Sequence, residues 1–356
     1  MSKLHAILLA GGSGSRFWPA SRRARPKQYL RIVGERAMLA ETRLRLEGLV
    51  DPERTWVVTT RAQAAEAAAA LPELAPSQFL IEPCARNTAA AIAMAALHVA
   101  AQDPDALQVV LPADHVIRPR SAFQATLRAA CETVRTSADE PLLVFGIHPS
   151  YAATEFGWIK SSGVERIVDA AAVHVVERFV EKPQLPRAKQ FLEEGGYFWN
   201  SGMFLWSSRA ITRALDTHAP AVRAALLGPH NTPEFERAYA QLPAVSIDVA
   251  VFERARGVRM LPIDYFWSDV GAWDALAGVH AADEQGLVCA GGAALSALDS
   301  KDCITYGEGG SLIALVGVQD LIVVRSGEVT LVCRRDRAQD VKALVERLAK
   351  ERPEHL

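Results

Sequence analysis

Near the amino terminus the apolar run Leu8-Leu9-Ala10 gives way to Gly11-Gly12-Ser13-Gly14-Ser15-Arg16, with Arg22, Arg23, Arg25, Pro26 and Lys27 close behind. Glycines let a main chain approach a ligand closely and turn its N–H groups toward phosphate oxygens. Arg16 and Lys27 would add the positive charge that a triphosphate requires. A glycine loop alone is also what a tight turn looks like; joined to Arg16, Pro26 and Lys27 at this spacing, it points to polyphosphate chemistry. The loop is not a P-loop, because no Gly-Lys-Ser/Thr closes it, and it lacks the third glycine of a dinucleotide fingerprint. No ribose-binding acid is evident about 20 residues beyond it, which disfavours a nicotinamide dehydrogenase.

Further residues able to do chemistry fall in short clusters. Asp114 follows the aliphatic run 108–111, at a strand C-terminus where ligands of α/β sheets collect, although a lone Asp there also serves as a cap or loop residue. Asp269 sits in Trp267-Ser268-Asp269-Val270-Gly271. Glu181-Lys182-Pro183 closes a β-type segment and by itself reads as a solvated charge pair at a strand end. Glu82, Arg86 and Asn87 lie between a strand and an alanine-rich helix, with Asn87 at an N-cap position. His115 has no partner cluster and reads as a supporting residue; Trp199 and Met203 read as pocket wall or core.

The elements that must position these residues alternate short aliphatic runs with helical patterns, which predicts a doubly wound α/β domain with a largely parallel sheet. Strands are expected at 4–10, 55–60, 78–81, 108–111 and 142–146, with helices near 38–49, 62–71, 87–101 and 121–137 between them. Segments 157–161, 166–169 and 173–180 have β texture and predict antiparallel strands added to that sheet. Helical patterns are expected between 186 and 256, then a strand at 258–262 and a helix near 272–279. From 287 to 333 short β segments alternate with glycine turns, which predicts a small separate β domain, either a few coils of a β-helix or a small sandwich. A last helix over 338–350 places Val341, Leu344, Val345 and Leu348 on one face, which should pack on that domain. The expected division is therefore 1–280 and 281–356.

Composition narrows the classes. A chain of 356 residues with 50% hydrophobic and 22% charged residues is an ordinary globular protein of about two domains. A net charge of -2 without a polybasic tail argues against nucleic acid or an anionic membrane as partner. Five scattered cysteines form neither a metal motif nor a disulfide framework, and no signal peptide or membrane span is evident, so the expected location is the cytoplasm.

Leu8 to Pro19 with Arg25-Pro26-Lys27-Gln28 resembles the opening of the sugar-nucleotide pyrophosphorylases, and Phe17-Trp18 before Pro19 resembles their mannose-1-phosphate guanylyltransferase branch. Agreement extends over nearly the whole chain, through Glu82-Pro83 with Arg86-Asn87-Thr88, Leu111-Pro112-Ala113-Asp114-His115, Phe179 to Pro183, Trp199 to Met203 and Trp267 to Gly271. The resemblance implies a Rossmann-like nucleotidyltransferase domain that joins GTP to mannose 1-phosphate, giving GDP-mannose and pyrophosphate. It implies that Gly11, Gly12, Gly14, Arg16 and Lys27, with Glu82, Arg86 and Asn87, form the nucleotide site. Gly157, Glu181, Lys182 and Asn200 are implied to form the sugar-phosphate site, with Lys182 on the phosphate and Glu181 on sugar hydroxyls. Asp114 and Asp269 are implied ligands of Mg²⁺; oxygen donors suit Mn²⁺ as well. Arg16, Lys27, Asp114 and Lys182 would carry the catalysis, by positioning and charge neutralisation rather than by a nucleophilic side chain.

Two rivals stand beside this reading: a nucleotidyltransferase for another sugar or base, and a non-catalytic sugar-nucleotide-binding paralogue. Keeping Arg16, Lys27, Asp114, Lys182 and Asp269 together argues against a pure binder. Residues 281–356 are too few for the cupin-type isomerase domain some members carry, so a single activity is expected. Val324 to Val329 departs from the family pattern, which bears on packing or oligomer contacts of the small domain; a homodimer is compatible with the sequence.

Overall fold

The structure is a computed structural model that describes residues 3–12, 14–228, 230 and 232–356. Strands β1 (Leu4–Leu9), β2 (Thr55–Thr60), β3 (Phe79–Glu82) and β4 (Leu107–Pro112) lie parallel in the order β3-β2-β1-β4. They are followed by β5 (Val116–Arg118), β6 (Leu143–Ile147), β7 (Trp158–Val168), β8 (Ala171–Val180), β9 (Tyr197–Ser207), β10 (Arg259–Ile263) and β11 (Phe266–Ser268). The sheet continues from β4 as β9-β6-β10-β8-β7, nine strands in all. Neighbouring residues of its central strands enter opposite layers, as the two-residue period of a strand requires. Ile7, Val58 and Val110 pack under the Asn87–Gln102 helix, whereas Leu8, Val57 and Val109 pack with Phe123 and Leu127 of the Arg120–Thr136 helix. Helices on both faces make this the doubly wound domain expected.

Three expectations need correction. The stretch 186–256 is not helical throughout, because β9 runs through it, antiparallel to both β4 and β6. Every residue of Tyr197–Ser207 except Gly202 is buried, so the strand lacks the in-out alternation that marks a half-exposed one. The segments 157–161 and 166–169 are one strand, β7, whose register against β8 shifts at bulges. The first helix stops at Arg45, short of residue 49.

The carboxy-terminal strands are β12 (Val288–Ala290), β13 (Ala294–Leu298), β14 (Ile304–Gly307), β15 (Leu312–Val316), β16 (Leu321–Ser326) and β17 (Val329–Arg334). β12, β14 and β16 pair in parallel on one side, and β13 and β15 pair in parallel in a second sheet. Short parallel strands joined by short turns stack as coils of a β-helix, which decides against an antiparallel sandwich. β17 closes the stack as an antiparallel hairpin with β16 through Gly327, whose φ is +56°. The divergent segment 324–329 is this hairpin, and Val324 is fully buried in it.

A third core joins the β-helix to the glycine-loop side of the larger domain. Phe17, Trp18, Leu30 and Trp273 share it with Ile304, Tyr306, Ile322, Val324 and Val341. Trp18 Nε1 donates to the His355 carbonyl at 2.9 Å, and Trp273 Nε1 donates to the Trp18 carbonyl at 2.9 Å. In the last helix, Val341–Glu351, Val341 is buried and Val345 and Leu348 are partly buried against this core. Leu344, expected on the same face, is 37% exposed, so the helix meets the core along an edge. Among the described residues no helix is long and apolar enough to cross a membrane.

Candidate active site

The glycine loop leaves β1 and is held from beneath by side chains that occupy its carbonyls. Gln28 Nε2 donates to the carbonyls of Ala10 (2.9 Å) and Gly12 (3.1 Å), and the Tyr29 hydroxyl donates to the Ala10 carbonyl at 3.1 Å. The N–H groups of Gly11, Gly12 and Gly14 have no partner among the described residues, the arrangement an anion-binding loop needs. Gly14 has φ +56°, and a Cβ there would lie 2.6 Å from Lys27 Cβ, so the loop folds directly onto Lys27. A single helical turn, Ser15–Phe17, then buries Phe17 and leaves Arg16 half-buried with no ion pair among the described residues. Ser13, within the same motif, lies outside the described residues.

Lys27 is only 4% exposed. Its Nζ lies 2.8 Å from Asp114 Oδ2 and donates to the Asp269 carbonyl at 2.6 Å. Asp114 and Asp269 arrive together because β5 begins just after one and β11 ends just before the other, with Ser268 opposite Val116 in an antiparallel ribbon. Burial would raise the Asp114 carboxyl, but the Lys27 ammonium ion outweighs it and holds Asp114 below the usual carboxylate range. Asp269 is pushed up to about 6 by burial, with the Asp114 charge adding to the rise and Lys27 opposing it. Two carboxylates facing one cleft, one of them resisting ionisation, fit a hard divalent cation bound with phosphate oxygens. Gly14, Arg16, Lys27, Asp114, Asp269 and Lys342 line this cleft of about 330 Å³. Lys342, from the last helix, is a residue that no motif in the sequence marks. His115 also lines the cleft; its Nδ1 accepts from Trp267 Nε1 at 3.2 Å and burial pushes its pKa down to about 4, so it supports Trp267 as a neutral ring.

The aromatic rings of Trp267, Phe156 and Trp199 form a bridge from Asp269 toward the second cluster, with centroids 5.5 Å and 5.2 Å apart. There Gly157, Glu181, Lys182 and Asn200 come together. Asn200 N–H donates to the Gly157 carbonyl at 2.7 Å, and a Cβ on Gly157 would lie 2.8 Å from Glu181 Oε2. Lys182, with φ +41°, turns Nζ back to 2.5 Å from Glu181 Oε1. Asn200 Nδ2 donates to Asp248 Oδ1 at 2.8 Å. Asp248 is 8% exposed and its carboxyl is pushed up to about 7, by burial first and then by the Glu181 charge. It was missed in the sequence, where the available signal was one acid inside the largely apolar segment Val245 to Phe252. Trp199 and Met203 are buried, as expected of wall and core.

The third cluster closes over Gly11. Glu82 ends β3, is 6% exposed, and would contact a Cβ on Gly11 at 2.8 Å. Burial pushes its carboxyl up to about 7, while the hydrogen bond from the Tyr239 hydroxyl, at 2.7 Å, pulls it down. Arg86 donates to the Ala240 carbonyl, so part of its guanidinium holds the end of the Pro233–Ala240 helix. Asn87 does not cap the following helix: it is the first helical residue, with φ +61°, and its Oδ1 accepts from the adjacent Thr88 N–H at 2.7 Å. Of the first-turn N–H groups, that of Ala89 donates to the Val245 carbonyl at 3.1 Å rather than to a capping side chain.

The nucleotidyl transferase family model matches residues 5–286, and a "MannoseP isomerase/GMP-like beta-helix domain" model matches residues 295–348. The chain is 40% identical to the xanthan biosynthesis protein XanB of Xanthomonas campestris pv. campestris over 98% of its length and 74% of that protein. It is 38% identical to a mannose-1-phosphate guanylyltransferase of Klebsiella pneumoniae, over 96% of the chain and 73% of the relative. The crystal structure described as "mannose-1-phosphate geranyltransferase" from Thermus thermophilus superposes with a TM-score of 0.86 at 32% identity, covering 98% of this chain and 99% of that one. The chain belongs to the nucleotidyl transferase family, as a relative of the mannose-1-phosphate guanylyltransferases.

Proposed function

We propose that this protein transfers GMP from GTP to α-D-mannose 1-phosphate, releasing pyrophosphate. The reading is carried by Asp114 and Asp269 converging on Lys27 beneath an unsatisfied glycine loop, in a chain 38% identical to a guanylyltransferase acting on mannose 1-phosphate. A phosphate oxygen of the sugar phosphate attacks the α-phosphorus; the new O–Pα bond forms as the Pα–O bond to the β-phosphate breaks, and pyrophosphate leaves in line. The N–H groups of Gly11, Gly12 and Gly14 and the guanidinium of Arg16 hold the triphosphate, and Lys27 fixes Asp114 and Asp269 relative to each other. Asp114 and Asp269 would hold Mg²⁺ or Mn²⁺, which when bound neutralises charge on the phosphates. Lys182 holds the attacking phosphate, Glu181 and Asn200 accept and orient sugar hydroxyls, and Gly157 leaves room for the ring. Catalysis on this scheme is positioning and charge neutralisation, so no side-chain nucleophile is required. Glu82, with the turn at Arg86 and Asn87, faces the base and ribose. Five unpaired cysteines are in keeping with action in the cytoplasm.

The test is pyrophosphate release from four nucleoside triphosphates crossed with mannose 1-phosphate and glucose 1-phosphate, with and without Mg²⁺. Release confined to GTP with mannose 1-phosphate supports the assignment. Preferred turnover of another pair overturns the substrates but not the chemistry, and no release by folded protein that binds a sugar nucleotide favours the regulatory paralogue.

A further inference from the structure

We propose that Lys342, on the carboxy-terminal helix, is a phosphate-binding residue of the transferase site, holding the β- and γ-phosphates that leave as pyrophosphate. The inference rests on the nucleotidyl-transfer reading above and extends the active site onto the β-helix domain. Lys342 lines the same cleft as Arg16, Lys27, Asp114 and Asp269. Its side chain is 58% exposed and its one ion pair among the described residues is a loose contact with Glu346 at 3.8 Å, itself 67% exposed. Such a contact leaves an ammonium ion available to a ligand. Lys27, by contrast, is already committed to Asp114 and to the Asp269 carbonyl. Among the described residues, Arg16 and Lys342 are thus the lysine and arginine side chains of this cleft that carry no close ion pair.

The order of the clusters says which phosphates Lys342 meets. Glu82 contacts the loop at Gly11, placing the base end there, and the sugar phosphate belongs with Gly157 and Lys182 on the far side of the aromatic bridge. The remaining end, at Gly14 to Arg16, is where the terminal phosphates lie and where Lys342 stands. The helix carrying it is anchored. Val341, its neighbour, is 3% exposed in the core shared with Phe17, Trp18 Nε1 is bonded to His355, and Arg25 reaches Glu308 at 3.5 Å. The β-helix thus anchors the helix that carries Lys342 beside the glycine loop.

Lys342→Ala, Lys342→Gln and Lys342→Arg in the full chain test this through a contrast that a structural role would not produce. Loss of a charge-assisted contact to phosphate is expected to raise KM for GTP, and KM for pyrophosphate in the reverse reaction, by about tenfold in the Ala and Gln variants. KM for mannose 1-phosphate and the Kd of GDP-mannose, which has no γ-phosphate or leaving pyrophosphate, should change less than about twofold, and Lys342→Arg should keep most of the wild-type affinity for pyrophosphate. Unchanged KM values for GTP and pyrophosphate in Lys342→Ala overturn the proposal, as does a loss of GDP-mannose affinity equal to that for GTP. If the wild-type protein releases no pyrophosphate from any pair, the functional reading itself has failed; direct binding of inorganic pyrophosphate to wild type and Lys342→Ala then still decides the role of Lys342.

Discussion

Alanine at Gly14 and at Gly12 should have different consequences, although both glycines belong to one loop. At Gly14 the backbone has φ +56°, a left-handed conformation that costs an alanine about 1 kcal/mol or somewhat more. The new Cβ would also lie 2.6 Å from Lys27 Cβ and 2.7 Å from the Lys27 backbone nitrogen, neither of which is the free end of a flexible chain. Forcing a methyl into such a contact costs about 1–3 kcal/mol. A total of about 3 kcal/mol follows, and at about 2.1 cal/mol/K per residue it lowers Tm by about 4 °C for a 356-residue chain unfolding as one unit. Relief of the contact displaces Lys27, whose Nζ holds Asp114 and Asp269, so kcat should fall by about tenfold or more beyond any loss of folded protein. At Gly12 a Cβ meets nothing within 4 Å, so Gly12→Ala should leave Tm unchanged; if that glycine serves approach of the triphosphate, KM for GTP alone should rise. Calorimetry and steady-state kinetics on both variants check this. Wild-type Tm and kcat in Gly14→Ala, or destabilisation of Gly12→Ala equal to that of Gly14→Ala, would refute the geometry argued for the loop.

Other consequences can be measured in the same way. Gly157→Ala puts a methyl 2.8 Å from Glu181 Oε2 and 3.1 Å from the Phe179 ring, so KM for mannose 1-phosphate should rise about tenfold while KM for GTP stays within about twofold. Tyr239→Phe removes the 2.7 Å hydrogen bond to the buried Glu82 carboxylate; it should cost about 1–3 kcal/mol in urea unfolding and raise KM for GTP rather than for the sugar phosphate. Asp248 has a folded-state carboxyl raised to about 7 from 3.8, so its contribution to stability is complete below about pH 4 and is lost as pH rises toward 7. Asp248→Asn should flatten that part of the stability profile, and urea midpoints at pH 5 and 7 that fall as steeply in the variant as in wild type would exclude Asp248 as its source.

How much of this was legible in the sequence depended on whether a residue's role is local. The loop from Leu8 to Arg16 could be read because a strand, the glycines and the cations follow one another along the chain. The parallel strands were legible because each is a short aliphatic run between helical patterns, and β1, β2 and β4 appear within a residue or two of their expected limits. β9 was not, because burial on both faces erases the alternation by which a strand is distinguished from a buried helix. Asn87 looked like a cap because its type and position favour one, but the Ala89 N–H is taken by a distant carbonyl, that of Val245, which no local pattern shows. Asp248 and Lys342 owe their places to folding alone: one is brought to Asn200 and the other to Arg16 from segments with no motif of their own.

On the proposed scheme Asp114 and Asp269, held by Lys27, form one cation-assisted centre for nucleotidyl transfer. The decisive experiment is the Mg²⁺ dependence of pyrophosphate release from GTP and mannose 1-phosphate by wild type, Asp114→Asn and Asp269→Asn, each checked for folding by circular dichroism. Strict metal dependence in wild type and a loss of about 10²–10³-fold in kcat in both folded variants is the predicted result. Wild-type turnover in either Asn variant, or pyrophosphate release that persists in excess chelator, would contradict it.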